Sequence, residues 1–331
     1  MKIHVLGNPR NPTGLMNRID PFAVHTYKYI KHLSPYFKMI HYGIPVAQVN
    51  CVHVDINTDP YDIRGFNEKA GAEIKKRAEA GDIIVCFYGV DNKLACDMNP
   101  SCKIVEPSIG YRANGTFAPY RVFTSYAQMH MFYGHSDMLM NPSWFDAVIP
   151  NPFTISEFDF VDNKEDYFLY FGRVCPEKGV DLAIQATKKT GKRLIIAGPG
   201  SLTDIGYSST PDHVEMLGYV GPEKRKELMG KAKALLGLTY YVEPFGNMVI
   251  EANLCGTPTI TTDWGGFSET VLEGKTGYRI RDFKSLLTAI EAIDKIQPIN
   301  CRNWGLNFSD EEVHYKHRLY LNRVIENNFY A

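Results

Sequence analysis

Four short segments of this chain are apolar almost from end to end: Asp82–Phe87 (DIIVCF), Tyr167–Phe171 (YFLYF), Leu194–Gly200 (LIIAGPG) and Ala234–Leu238 (ALLGL). A strand with one face in water alternates between apolar and polar residues. Continuous runs of this length belong to strands buried on both faces, as in a parallel sheet covered by helices. The segments between them fit that reading. Lys2–Leu6 predicts a first strand, Gly7–Arg18 a loop rich in Gly, Pro and Asn, and Pro21 to about His32 a helix. Asp20 is placed as its N-cap and Pro21 in its first turn. Further strands are expected at Lys38–Tyr42, Lys103–Val105, Val214–Val220 and Tyr278–Ile280. Further helices are expected at Glu68–Ala80, Glu223–Lys233, Phe283–Ile293 and Glu311–Asn327. Strand–turn–helix, repeated twice over, predicts an α/β chain of two Rossmann-like doubly wound domains. The prolines at 142, 150 and 152 place the boundary near 150, giving domains over 1–150 and 151–305 and a terminal helix over 306–331. A length of 331 residues with 44% apolar content supports two such cores.

In this architecture ligands bind beyond the carboxyl ends of the strands, and the chemically suggestive residues fall there. Glu243 lies in a Pro-Phe-Gly turn after Ala234–Leu238, and Glu251 lies eight positions on, inside the helix that follows. That helix N-terminus, at Phe245, Gly246, Asn247 and Met248, offers backbone N–H groups and a partial positive charge to a phosphate. The alternative is an ordinary helix with one acid before it and one within. Gly172-Arg173 and Glu177-Lys178-Gly179 follow the YFLYF run, and two cations there can neutralise a diphosphate. The alternative is a basic surface turn. Two other motifs fail. Gly274-Lys275-Thr276 lacks the upstream glycine of a phosphate loop, since Glu269 stands in its place. Gly198-Pro-Gly200 is followed by Thr203 where a dinucleotide fingerprint needs glycine. In the first half, Val122/Phe123, Tyr126, Met129/His130 and Tyr133 follow a helical period. A helix burying its aromatics around a hydrogen-bonded core His130 is one reading; an acceptor-side wall is the other. Glu106, at a strand end, is an acceptor-side candidate.

The stretch Glu243–Gly277 resembles the donor-site signature of family 4 of the retaining, GT-B-fold glycosyltransferases. It contains E-x-F-G, the second Glu eight positions on, the turn Gly256-Thr257-Pro258, and Gly265-Gly266 with Glu269. Gly172-Arg173 with Lys178-Gly179 resembles that family's diphosphate motif, and Val148–Pro152 its crossover between domains. The likeness is specific over about 148–290 and is at the level of fold before that. It implies a GT-B fold with an interdomain cleft, and an enzyme of glycan biosynthesis that moves a sugar from a nucleotide-diphospho-sugar with retention of configuration. It implies Arg173 and Lys178 on the diphosphate, Glu243 on the sugar, Glu251 on the ribose, and Tyr219 and Val220 on the base. Where the family carries a glycine pair in the first loop, this chain has Pro12-Thr13-Gly14, leaving Gly14 as the candidate contact. The terminal helix is expected to cross back onto the first domain.

No cofactor and no metal are expected, because Arg and Lys take the metal's role. A nucleotide-sugar 2-epimerase on the same fold, or a non-catalytic sugar-nucleotide or glycan-binding protein, are the alternatives. The acceptor is left open among a lipid-linked sugar, a surface polysaccharide, a protein glycan and a modified nucleic-acid base, the last disfavoured by the near-neutral charge. Lys+Arg 36 against Asp+Glu 37 gives no basic surplus for nucleic acid or anionic lipid. Seven cysteines without C-x-x-C spacing read as reduced thiols. With no signal peptide and no long apolar stretch, a cytoplasmic protein is expected, peripheral membrane contact aside.

Overall fold

The computed structural model describes residues 1–10, 13–14, 20–44, 49–138, 140 and 142–327. Pro12 of the expected first loop and Asn141 of the expected linker lie outside the described residues. The chain divides into two compact units, Met1–Pro152 with Asp310–Ala331, and Phe153–Ser309.

The first unit holds strands β1 (Lys2–Leu6), β2 (Lys38–Gly43), β3 (Val52–Asp55), β4 (Ile83–Cys86), β5 (Lys103–Ile109), β6 (Tyr120–Phe123) and β7 (Ala147–Val148), all parallel, in the order β3-β2-β1-β4-β5-β6-β7. Its helices are α1 (Pro21–Leu33), α2 (Ile63–Lys75), α3 (Lys93–Asp97) and α4 (Tyr126–His135). The second unit holds β8 (Tyr167–Phe171), β9 (Arg193–Ala197), β10 (Val214–Gly218), β11 (Ala234–Gly237), β12 (Thr259–Thr262) and β13 (Gly277–Ile280), again all parallel, in the order β10-β9-β8-β11-β12-β13. Its helices are α5 (Val180–Lys189), α6 (Pro222–Lys231), α7 (Asn247–Leu254), α8 (Phe267–Thr270), α9 (Phe283–Ala292) and α10 (Pro298–Gly305). The last helix, α11 (Asp310–Glu326), belongs to the first unit. Its Val313, Tyr320, Leu321 and Val324 are buried with Tyr29, Ile30 and Leu33 of α1.

In each unit the chain starts mid-sheet, runs to one edge, then crosses its first strand and runs to the other. The strand order therefore reverses between β1 and β4 and between β8 and β11. Such a reversal opens a crevice at the carboxyl ends of the two central strands.

The apolar runs form the central strands because both faces are covered: Phe168, Leu169, Leu194, Ile196, Leu235 and Leu236 are all fully buried. Asp20 caps α1 by accepting from the Phe22 N–H at 2.9 Å, with Pro21 in its first turn. Several elements differ from the sequence expectation. Val122/Phe123, expected on one helical period with Tyr126 and Tyr133, instead end strand β6, and α4 starts at Tyr126 after its cap Ser125. The helix expected at 68–80 begins at Ile63, where Asp62 accepts from the Gly65 N–H at 2.8 Å. It ends in a tight turn in which the N–H groups of Arg77 and Ala78 both reach the Ile74 carbonyl. β12 reads TITT and is fully buried, its β-branched threonines suiting a strand despite their hydroxyls. β3, an edge strand with a half-exposed pattern, carried no apolar signal. Among the described residues no helix is long and apolar enough to cross a membrane.

Candidate active site

The reversal between β8 and β11 brings two loops together. Loop 172–179 leaves β8, and loop 238–246 leaves β11. Three features of the sequence lock them. Gly179 begins α5 in the left-handed region (φ +67°), and a Cβ there would stand 1.8 Å from the Leu238 carbonyl oxygen, so this close approach needs glycine. The Tyr240 N–H donates to the Glu177 carbonyl at 2.9 Å. From the far side, Gly265 and Gly266 pack on the backbone of 242–245, the Gly266 N–H donating to the Glu243 carbonyl at 2.7 Å. Trp264 Nε1 donates to the Tyr241 carbonyl at 3.0 Å.

Within this frame the structure brings Lys178 and Glu243 together. Lys178 Nζ lies 3.2 Å from Glu243 Oε2, with the side chains 21% and 16% exposed. Tyr241, which sequence reasoning did not single out, completes the group. Its hydroxyl donates to Glu243 Oε2 at 2.7 Å and accepts from Lys178, whose ammonium stands 4.8 Å from the ring centre. Burial, and then the Glu243 charge, push the Tyr241 phenol far above its ordinary value, so it stays protonated. Arg173 is exposed at the end of β8, its carbonyl held by the Tyr170 hydroxyl at 2.7 Å. Its positive charge acts on Tyr241 and Glu177.

Glu251 is buried inside α7 and pairs with Arg225 of α6, whose guanidinium lies 5.2 Å over the ring of Phe171, the last residue of β8. Arg225 also escaped the sequence reading, since it sits in the charged run EKRKE, which looks like any solvated helix face. Glu243 and Glu251 thus have different partners, Lys178 and Arg225. α7 begins after Gly246 (φ +89°), which as glycine supplies no side-chain cap. The Phe245 side chain is core, so only its backbone could meet a ligand. Asn247 and Met248 are half-buried. The Tyr219 ring is 76% exposed, just past β10, while Val220 packs against the core.

The first-unit candidates turn out differently. Glu106 is 0% exposed. Its Oε2 accepts from the N–H groups of Phe117 and Ala118 at 3.2 and 3.1 Å, and its Oε1 from the Tyr111 hydroxyl at 3.1 Å. It anchors the loop 111–118 from within instead of facing an acceptor, and burial pushes its carboxyl up to about 7. His130 is exposed beside Tyr126 and is not the core histidine one reading expected, because α4 buries Gln128 and Phe132 instead. Gly14 has open space where a Cβ would project.

Among the described residues, His32, Asp310 and His314 bring possible metal-ligand atoms within 4.8 Å of one another. The Lys28 ammonium, 3.1 Å from Asp310 Oδ1, already supplies the positive charge there. The group reads as a clasp between α1 and α11.

Residues 153–305 match the family model described as "Glycosyl transferases group 1". The glycogen synthase of Mycobacterium tuberculosis is 33% identical over 137 residues, covering 38% of this chain and 33% of that protein. The chain thus spans about a third of the length of the curated relatives it matches. Among solved structures, the sucrose-phosphate synthase of Thermosynechococcus elongatus superposes with a TM-score of 0.74 at 16% identity, covering 98% of this chain and 99% of that one. Anabaena HepE, solved in complex with UDP-glucose, gives 0.70 at 17% identity, covering 97% and 99%. These likenesses carry the fold across both units, and the family match carries the half that holds Arg173, Lys178, Glu243 and Glu251. Residues 153–305 accordingly resemble the glycosyl transferases group 1 family, within a chain that has the GT-B fold.

Proposed function

We propose that this protein is a retaining, metal-independent glycosyltransferase whose donor is a nucleotide-diphospho-sugar bound at the β8/β11 crevice. The observation that carries this reading is the contact of Lys178 with Glu243 beside the exposed cation of Arg173, at the crevice where a doubly wound sheet takes its ligand. As the bond from the anomeric carbon to the diphosphate breaks, negative charge collects on the leaving oxygens. Arg173 and Lys178 are the groups to stabilise it, and two side-chain cations already there make a bound metal unnecessary. The open end of α7 adds backbone N–H groups to the same phosphates. Glu243, an acceptor of hydrogen bonds only, suits sugar hydroxyls, and Glu251, once released by Arg225, suits those of the ribose. The fold match to HepE, solved with UDP-glucose, makes a UDP-sugar the first donor to try.

A thermal-shift screen with UDP, GDP, ADP and their sugars tests this directly. A specific ligand raises the melting temperature by mass action. No shift with any of them removes the donor reading. The same site also suits a nucleotide-sugar 2-epimerase, and incubation with donor alone separates the two, since only an epimerase returns an epimeric sugar.

A further inference from the structure

The Glu243 carboxylate receives both of its bonds on one oxygen. Tyr241 Oη and Lys178 Nζ meet Oε2, and among the described residues none reaches Oε1. The two donors differ in freedom. Lys178 has a flexible stem and, on the reading above, must turn toward a diphosphate when donor arrives. Tyr241 cannot follow it. Its carbonyl is held by Trp264 Nε1 at 3.0 Å and by the Thr239 hydroxyl at 3.3 Å, and its ring is half-buried.

We propose that Tyr241 is a positioning residue for the donor sugar: its hydroxyl keeps the Glu243 carboxylate in place, with Oε1 free for the sugar, when Lys178 leaves for the diphosphate. This rests on the donor assignment made above. Without the hydroxyl, Lys178 would be the sole donor to the Glu243 carboxylate among the described residues. Binding a diphosphate would then leave a half-buried carboxylate unheld, and part of the sugar's contact would go into restoring it. Tyr241 also has two jobs that a plain packing residue lacks. It donates to the acid and accepts from the base, so it can pass from a three-way contact to a two-way one without losing its own proton.

The test uses the full chain and two probes, UDP and UDP-glucose, with dissociation constants measured by calorimetry for wild type, Tyr241→Phe, Glu243→Gln and the double variant. Should wild type prefer another base, GDP with GDP-mannose or ADP with ADP-glucose replaces that pair. The readout is the ratio of the two constants, which isolates the sugar. Tyr241→Phe is expected to weaken UDP-glucose about ten-fold, the loss of a hydrogen bond to a charged group, while leaving UDP within about two-fold. In the Glu243→Gln background the same change is expected to cost less, because the amide oxygen still accepts from Tyr241 but carries no charge. Equal weakening of both probes would make Tyr241 a prop for the whole site and overturn the proposal. So would an unchanged ratio, or an undiminished effect in the Glu243→Gln background. If wild type binds none of the six probes, the donor reading itself falls, a result distinct from a wild type that binds and a Tyr241→Phe that matches it.

Discussion

Lys178→Ala separates a role in chemistry from a role in folding. The Lys178–Glu243 pair is about one-fifth exposed on each side, so water screens it and its worth to the fold is about 1 kcal/mol. Removing the lysine does not orphan the acid, because Tyr241 still donates to Glu243 at 2.7 Å. For a unit of this size, about 1 kcal/mol lowers the melting temperature by about 2–4 °C. The effect on the barrier is larger. A positioned donor aimed at charge that develops in the transition state contributes about 3 kcal/mol, which is about a hundred-fold in rate. The assay is release of UDP from UDP-glucose with water as acceptor, run beside a thermal melt of the same preparation. Lys178→Ala is expected to lose about two orders of magnitude in turnover while melting within a few degrees of wild type, and Lys178→Arg to recover part of the rate. Turnover within about three-fold of wild type would refute the assignment. A collapse of the melt in proportion to the lost rate would refute the reasoning as well, since it would make the lysine structural.

Three further outcomes follow from the geometry. Gly179→Ala combines a left-handed residue with a Cβ 1.8 Å from the Leu238 carbonyl, so it is expected to cost about 2 kcal/mol or more. Gly191→Ala, equally left-handed (φ +64°) but in open space, is expected to cost about 1 kcal/mol, and paired melts compare them. Glu106 is raised from 4.5 to about 7 in the fold, so the native state holds its proton more tightly. Its contribution, about 3 kcal/mol, is full below pH 4.5 and lost as pH rises to about 7, and Glu106→Gln is expected to flatten that part of a stability–pH curve. Half-buried His25 and buried His314 are held down to about 3 and 4 by desolvation, and buried His317 is also lowered. Their neutral forms therefore stabilise the fold above pH 6.5, and this is lost as pH falls toward 4. Lys28, His32 and Asp310 face the same cluster, and His317→Phe is expected to reduce the acid-side fall in melting temperature.

How far the sequence could be read depended on where the information lay. YFLYF was legible to the residue because a run buried on both faces needs no partner to declare itself, and Gly172 ends it. Asp20-Pro21 was equally plain, since a cap and a first-turn proline are local. α2 was placed five residues late. Its charged face repeats beyond Lys75, and the true start depends on one side chain, Asp62, reaching Gly65. TITT was not legible as a strand, since its burial comes from α7 and β11 alongside it and not from its own hydropathy.

In the site, Lys178 and Glu243 stood out as charges that follow apolar runs. That they touch could not be read, because the group joining them, Tyr241, belongs to a Tyr240-Tyr241 pair with no motif of its own. Glu106 shows the opposite failure. A strand end expected at Val105 suggested an outward acid, but β5 runs on to Ile109 with Glu106 inside it, and loop 111–118 folds back and encloses it.

The two units share a strand order, which makes their difference informative. In the first, the contacts at the β1/β4 crevice among the described residues are made by neutral donors. The Asn92 amide donates to the Gly7 carbonyl at 3.4 Å, and the Tyr88 hydroxyl donates to Asp20, an acid already engaged as the cap of α1. In the second, the equivalent crevice holds Lys178 against Glu243, with Arg173 uncovered at the strand end and a helix beginning uncapped beside them. Topology alone does not distinguish the two, since both reversals open at carboxyl ends. Charge does. A diphosphate needs positive groups as its charge grows, and on the proposed donor reading residues 172–179 supply them, Gly179 letting that loop close on Leu238. Moving that loop would carry Lys178 off Glu243 without touching either side chain. Gly179→Ala is therefore expected to lower donor affinity as well as stability, whereas Gly191→Ala, at the far end of α5, leaves donor affinity alone.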